Sequence, residues 1–299
     1  MLNAINRTYG QHARFDNAKG GMTEDQLRAA APSVFAMTAH ESRSERFRPI
    51  PTIEVVRGLK KEGFVVVGAK QSVSRIPGKS DYTKHLLRLR REDDRNYQVG
   101  DTVAEMLLKN ANDGTSIYDL FAGLFRIRCL NSLVAMQESI SNVKVRHTGK
   151  DIIGQVIEGT FSVIEDAKLA LAAPQDWSQI KLDRDERMAM AKAARVLRFG
   201  DAEGQVNTPI TAEQLLEVRR HDDQENNLWT NFNVVQENVI RGGLHGVALD
   251  ANNRRRRMTT RQVNGIDQDV KLNRALWTLA NEMAKIKGWQ APSGGRNAA

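Results

Sequence analysis

The residues best suited to chemistry are cations that recur between Asp81 and Arg91. In an extended strand successive side chains point to opposite faces, so Lys84, Arg88 and Arg90 would share one face, about 6.5–13 Å apart. This spacing covers a few nucleotide phosphates, and such a row of cations is typical of a polyanion-binding surface. The alternative is the solvated outer face of a half-buried sheet, where lysine and arginine are ordinary residues.

Two tyrosines, Tyr82 and Tyr97, flank this segment. Aromatic rings interleaved with cations suit single-stranded nucleic acid, because bases stack on the rings while phosphates pair with the cations. A second basic segment is the run Arg254–Arg257, which predicts a flexible loop, since four adjacent arginines cannot all face one partner in a helix. This run is either a solvated patch or a phosphate clamp. The residues predicted to contact nucleic acid are Lys70, Arg75, Lys79, Tyr82, Lys84, His85, Arg88, Arg90, Arg91, Arg126, Arg128, Lys144, Arg146, His147, Arg254, Arg255, Arg256 and Arg257.

Signals for catalysis are weak by comparison. Asp113 is the best candidate carboxylate because it lies at a predicted junction between two elements, but turn closure and helix capping explain every residue of 112–116. The single cysteine, Cys129, has no partner for zinc-finger spacing, and a catalytic thiol would need His85 or His147 nearby. Neither a phosphate-binding loop nor a dinucleotide-binding glycine pattern is present in the sequence. We therefore predict no catalytic residue, no metal site and no cofactor.

The composition favours an acidic partner. Lys and Arg number 44 against 36 Asp and Glu, which gives a formal charge of +8 over 299 residues. A hydrophobic content of 40% is sufficient for one large domain or two modest ones. One cysteine excludes an internal disulfide, and the sequence contains neither a secretion signal pattern nor a run of about 18 apolar residues. These features predict a soluble protein of the bacterial cytoplasm with no membrane contact.

The elements that would position these residues predict an α+β fold, an N-terminal antiparallel β-sheet with packing helices followed by a helical C-terminal region. We expect a flexible polar arm at 1–49, an α+β core at 50–174, a helical region at 175–290 and a disordered tail at 291–299. The core is predicted to begin with a helix over Ile53–Glu62, capped by Thr52, and to continue with strands over Phe64–Arg75, the basic segment and Val103–Asn110. An apolar helix over Ile117–Arg128, capped by Ser116, is expected next. Two short strands near 133–136 and 143–147 and a helix over 151–173 complete the predicted core. In the helical region it predicts helices over Arg184–Phe199, Ala212–Asp222, Leu228–Arg241 and Gln268–Lys287.

Several blocks of the sequence resemble the phage- and plasmid-borne family called domain of unknown function 932. They are Tyr82–Arg90, Asn112–Arg126, Val143–Gly149, Leu228–Asn238 and Lys271–Trp277, so the resemblance covers about residues 40–288. One departure is Cys129-Leu130-Asn131-Ser132-Leu133, where the family commonly has Cys-Ser-Asn-Gly-Leu; the missing glycine alters the expected turn. The resemblance implies a mobile genetic element in a bacterium but supplies no settled activity.

The predicted order of elements is also similar to the core of phage single-strand annealing recombinases, which form rings that hold single-stranded DNA in a basic groove. This likeness concerns the fold alone. The leading hypothesis is a phage or plasmid protein that binds nucleic acid, with single-stranded DNA favoured, in recombination, annealing or DNA maintenance. The alternatives are a non-enzymatic anti-defence or protein-interaction factor that binds host defence or replication proteins, and a metal-dependent nuclease that requires Asp113. The sequence does not distinguish DNA from RNA as the ligand, and it is compatible with a homo-oligomer and with a monomer.

Overall fold

The computed structural model describes residues 20–93, 102–126, 133–135, 142–145, 154, 156–161, 163–164, 171–200, 204, 208–249 and 254–290. The predicted site residues Tyr97, Arg128, Arg146 and His147 lie outside these ranges. The described residues fall into two compact units, the first within 1–130 and 139–168 and the second within 131–138 and 169–299. None of the described helices is both long and apolar enough to span a membrane.

An antiparallel sheet is the centre of the first unit. Its strands lie in the order β1, β2, β3, β4 and β6, and each neighbouring pair is antiparallel. The predicted hairpin of β1 with the basic strand β2 is confirmed, as is the third strand. The strands are β1 (Phe64–Gln71), β2 (His85–Arg91), β3 (Thr102–Asn110), β4 (Tyr118–Arg126), β5 (Leu133–Ala135, in the second unit) and β6 (Asn142–Val145).

Two helices of the first unit, α1 (Glu24–Ala30) and α2 (Thr52–Lys61), pack against β1. A capping box at Thr23, in which the Gln26 side chain bonds back to the backbone N–H of Thr23, starts α1. In α2 the buried residues recur at helical spacing and meet the sheet. Residues 20–49, which the sequence predicts as part of a polar arm, also contribute buried apolar side chains, among them Leu27 and Val34.

The predicted apolar helix over Ile117–Arg128 is wrong, because the structure forms β4 there. Every side chain of β4 is buried except the last, Arg126. A strand covered on both faces is a continuous apolar run, and the spacing of such a run cannot be distinguished from that of a buried helix. The unpaired edge of β3 decides the outcome, because β4 pairs with it from Thr102↔Arg126 to Lys109↔Asp119.

The second unit is mainly helical. Its helices are α3 (Ala172–Gln179), α4 (Arg184–Phe199), α5 (Leu228–Arg241) and α6 (Ile266–Ile286), so three predicted helices are confirmed. The predicted helix over Ala212–Asp222 is wrong, since this stretch holds only two short 3-10 helices, Glu213–Leu216 and His221–Asp223. Trp177, Phe232 and Trp277 are buried together, and the rings of the two tryptophans lie 4.3 Å apart between centroids.

A two-stranded hairpin also belongs to this unit, formed by β7 (His245–Leu249) and β8 (Arg255–Thr259). Within the region 175–290 the sequence predicts helices alone, and it predicts a flexible loop at Arg254–Arg257; the hairpin contradicts both predictions. Arginine tolerates extended backbone, and pairing with β7 satisfies the peptide groups of β8 on one side.

Candidate nucleic-acid interface

We call β7, β8 and Arg254 the arginine hairpin. In its register Val247 lies opposite Arg257 and Ala248 opposite Arg256. Opposed residues of an antiparallel pair share a face, so Arg255 and Arg257 lie on the face of Val247, whereas Arg256 lies on the opposite face. The three arginines of β8 therefore do not form a single cationic row; they alternate between the two faces of a ribbon.

The foot of the arginine hairpin is firmly attached to the second unit. The N–H of Gly243 donates to the carbonyl of Thr260 at 2.8 Å, and the side chain of Gln214 donates to the carbonyl of His245 at 2.7 Å. Gly242 has a φ of +64°, and a β-carbon there would lie 2.7 Å from the carbonyl carbon of Arg261. Glycine at this position therefore allows the end of α5 to turn directly into β7.

All five residues of β8 are exposed, so side chains on both faces of this strand reach solvent. The guanidinium groups of Arg255, Arg256 and Arg257 make no ion pair or hydrogen bond with any residue that the structure describes. Their apolar neighbours are open as well, because Val247 is 48% exposed on one face and Met258 is 44% exposed on the other. Three adjacent cations thus face solvent, and no carboxylate in the described part of the chain neutralises them.

Further arginines surround the foot of the hairpin, and sequence reasoning missed most of them. The guanidinium of Arg219 donates to the carbonyl of Gly242 at 2.5 Å and to the side chain of Asn238 at 2.5 Å. Arg198 donates to the carbonyl of Arg261, which is itself exposed. One signal in the sequence was the adjacent pair Arg219-Arg220, which lies near the end of the predicted helix over Ala212–Asp222.

Two carboxylates, Glu237 and Glu217, partly offset these cations. Arg220 binds both oxygens of Glu237, at 2.9 and 2.8 Å, and Arg241 binds one at 3.0 Å. Burial alone would raise the pKa of Glu237, but these two arginines outweigh burial and hold that pKa below its usual value. The carboxylate of Glu237 therefore stays charged. The arginines around the foot of the hairpin outnumber the carboxylates beside them, so this cluster keeps a net positive charge.

The basic strand β2 has a different role from the predicted one. It lies between β1 and β3, and the guanidinium groups of Arg88 and Arg90 both bind the carboxylate of Glu105 on β3. The side chains of Arg90 and Glu105 are 1% and 0% exposed, and Arg88 lies over the ring of Phe125, 3.6 Å from its centroid. Arg90 is therefore not accessible to a phosphate, which corrects the prediction that Lys84, Arg88 and Arg90 form one polyanion-binding row.

His85 also departs from its predicted role. Its ring is fully buried, with Nδ1 2.9 Å from the hydroxyl of Ser33 and Nε2 2.9 Å from the hydroxyl of Thr52. Burial lowers the pKa of His85 to about 4. The neutral ring joins α2 and β2 to a 3-10 helix, Pro32–Phe35, and it cannot meet an anion at the surface.

The loop that contains Asp113 is held by local bonds. Asp113 accepts hydrogen bonds from the backbone and side chain of Thr115 at 3.0 and 2.6 Å, and it pairs with Lys79 at 3.4 Å. Burial alone would raise the pKa of Asp113, yet these bonds and Lys79 lower it. These contacts close the turn, as the structural alternative for Asp113 predicts. The ammonium group of Lys79, a predicted nucleic-acid contact, pairs with this carboxylate. No described group of three or more histidine, cysteine and acidic side chains is arranged to hold a metal ion.

The other predicted residues of the first unit vary in exposure. Tyr82 is half-buried and packs edge-on against the ring of His40, 5.3 Å between centroids. Arg91 lies 5.8 Å from the ring centroid of Phe64. Arg75 and Lys144 are exposed, and Lys70, Lys84 and Arg126 are half-buried. The exposed arginines of the hairpin, by contrast, belong to the second unit.

Comparisons with known proteins give a family but no activity. The family model described as a domain of unknown function, number 932, matches residues 39–277. UPF0380 protein YafZ of Escherichia coli strain K12 is 43% identical over 262 residues, which are 88% of this chain and 91% of the relative. UPF0380 protein YfjQ of the same organism is 42% identical over 262 residues, again 88% and 91% of the two chains. No solved structure matches the chain. The resemblance seen in the sequence is therefore confirmed, and the chain belongs to the family of the domain of unknown function 932.

Proposed function

We propose that this protein binds nucleic acid through the arginine hairpin, as a factor encoded by a bacterial mobile genetic element. The observation that carries the proposal is the solvent exposure of Arg255, Arg256 and Arg257 without a carboxylate partner among the described residues. Elsewhere in the described chain many arginines pair with carboxylates or carbonyls, as Arg90 and Arg219 do. Cations left unpaired in one place are the feature expected of a polyanion-binding surface.

Arginine suits this role chemically. Its planar guanidinium stays charged at every physiological pH and presents donors in a fork that matches two phosphate oxygens. Because the foot of the hairpin is rigidly attached, little backbone conformational entropy is lost on binding. The positive cluster around Glu237 adds attraction at the foot, where Arg241 and Arg261 are exposed.

Single-stranded DNA and a part in recombination, annealing or DNA maintenance are the finer version of the proposal. They rest on the sequence resemblance and on base stacking by Tyr82 and Tyr97. Tyr82 offers only part of its ring, because it is half-buried beside His40. The hairpin therefore gives stronger support to phosphate binding than to base stacking.

The test is a salt titration of the full-length protein with fluorescent DNA, comparing the wild type with Arg255→Ala/Arg257→Ala. Each lost phosphate contact should weaken binding about five- to tenfold at 0.1–0.15 M salt and reduce the log–log salt slope by about 0.7–0.9. The matched control is Lys60→Ala/Lys61→Ala, which removes two charges from exposed positions at the end of α2. Equal loss in both variants, or loss in neither, would contradict the assignment and favour an interaction with host proteins.

A further inference from the structure

The arginine hairpin carries cations on both of its faces, which constrains the shape of the partner. Arg255 and Arg257 lie on one face and Arg256 on the other, and all three are exposed. A flexible single strand lying on one face would meet only alternate arginines. A partner that meets all three must have phosphates on both sides of the ribbon.

The described residues of the hairpin also lack a large aromatic ring for base stacking. Its exposed side chains other than arginine include Val247, Met258 and His245, and no phenylalanine, tyrosine or tryptophan occurs in 245–249 or 254–259. Binding of unpaired bases depends largely on stacking against such rings. The chemistry of the hairpin is therefore that of phosphate and groove contacts.

The dimensions agree with a groove. Two paired strands lie about 4.8 Å apart, and five residues extend about 17 Å. The major groove of B-form DNA is about 12 Å wide and 8.5 Å deep, and it admits a two-stranded ribbon with phosphates on both walls. The major groove of A-form RNA is too narrow for side chains to enter. A second copy of the hairpin is disfavoured as the partner, because pairing two β8 edges would oppose arginine with arginine.

We propose that the arginine hairpin enters the major groove of duplex B-form DNA, with Arg255 and Arg257 on one wall and Arg256 on the other. This inference rests on the proposed function and names its substrate class. It differs from the single-stranded partner that the sequence favours, because the ribbon has two cationic faces and no phenylalanine, tyrosine or tryptophan in its described residues.

The test uses the full-length protein and three fluorescent probes of one sequence, a duplex DNA of about 20 base pairs, its single strand and the duplex RNA, each titrated with salt. Duplex DNA should bind most tightly. Arg256→Ala should weaken that binding about five- to tenfold at 0.1–0.15 M salt, as should Arg257→Ala, and each should lower the salt slope by about 0.9. Lys60→Ala, the control with the same charge change, should leave both quantities as in the wild type.

Two results would overturn the inference and can be told apart. If the single strand binds at least as tightly as the duplex and Arg256→Ala has no effect, the groove assignment fails while nucleic-acid binding stands. If none of the probes binds, the proposed function fails with it, and the arginines then serve to keep an exposed strand edge from aggregating. Circular dichroism of each variant excludes unfolding as the cause of a loss.

Discussion

Replacing Glu105 by glutamine should destabilise the first unit strongly. The carboxylate is 0% exposed and binds the guanidinium groups of Arg88 and Arg90, which are 12% and 1% exposed. Removing one member of a buried ion pair leaves an uncompensated charge and typically costs about 3–5 kcal/mol. The lower end applies, because Arg88 is partly solvated and keeps its contact with the ring of Phe125. A loss of about 3 kcal/mol corresponds to a fall in melting temperature of roughly 6–12 °C for a unit of this size.

The assay can resolve the two units. All four tryptophans lie within the second unit, so tryptophan fluorescence reports on that unit, whereas hydrogen exchange of the β2 and β3 amides reports on the first. Glu105→Gln should speed exchange in β2 and β3 and lower the midpoint of chemical denaturation there. Glu54→Gln, at an exposed position of α2, is the matched control and should change the stability by less than about 0.5 kcal/mol. A loss below about 1 kcal/mol for Glu105→Gln would refute the view that this carboxylate neutralises two buried cations.

Two further predictions concern pH and the hairpin foot. Burial lowers the pKa of His85 to about 4, whereas the histidine of an unfolded chain has a pKa near 6.5. Between these two values the unfolded chain binds a proton at His85 and the folded chain does not. The contribution of neutral His85 to the free energy of unfolding is therefore complete above about pH 6.5. It is lost as the pH falls towards 4, and the total loss is about 3 kcal/mol. Denaturation midpoints across this range should show the loss in the wild type and much less of it in His85→Gln; equal pH dependence in both would contradict the assignment. Gly242→Ala should loosen the hairpin and raise hydrogen exchange in β7 and β8, because its β-carbon would lie 2.7 Å from the carbonyl carbon of Arg261 at a φ of +64°. Gly243→Ala is the control for backbone strain alone, since it has a φ of +79° but no neighbour within 4 Å, and an equal effect of both substitutions would show that the close contact has no role.

Local pattern was enough to predict much of the fold. The hairpin of β1 and β2 follows from a β-branched run and a turn at Pro77-Gly78. The helices α4, α5 and α6 follow from apolar periodicity, and α4 also begins at a capping box formed by Asp183. These signals lie within a few residues of the element that they determine, so the sequence carries them without knowledge of the rest of the chain.

The prediction of β4 as a helix shows where periodicity stops being informative. Its apolar side chains pack on both faces of the sheet, so the run has no polar face to mark a period of two. Only the pairing of β4 with β3 separates the strand from a buried helix.

The sequence by itself determined the α+β class, most of the elements and the excess of arginine and lysine. Which of those cations reach solvent was decided by tertiary structure alone. Arg90 lies on an alternating basic strand, but β1 and β3 flank that strand and Glu105 binds the guanidinium inside the protein. Arg256 lies in a segment without periodicity, yet pairing of β8 with β7 holds it in the open. The charge of a side chain is a local property, whereas its solvation depends on residues far away in the chain that pack over it.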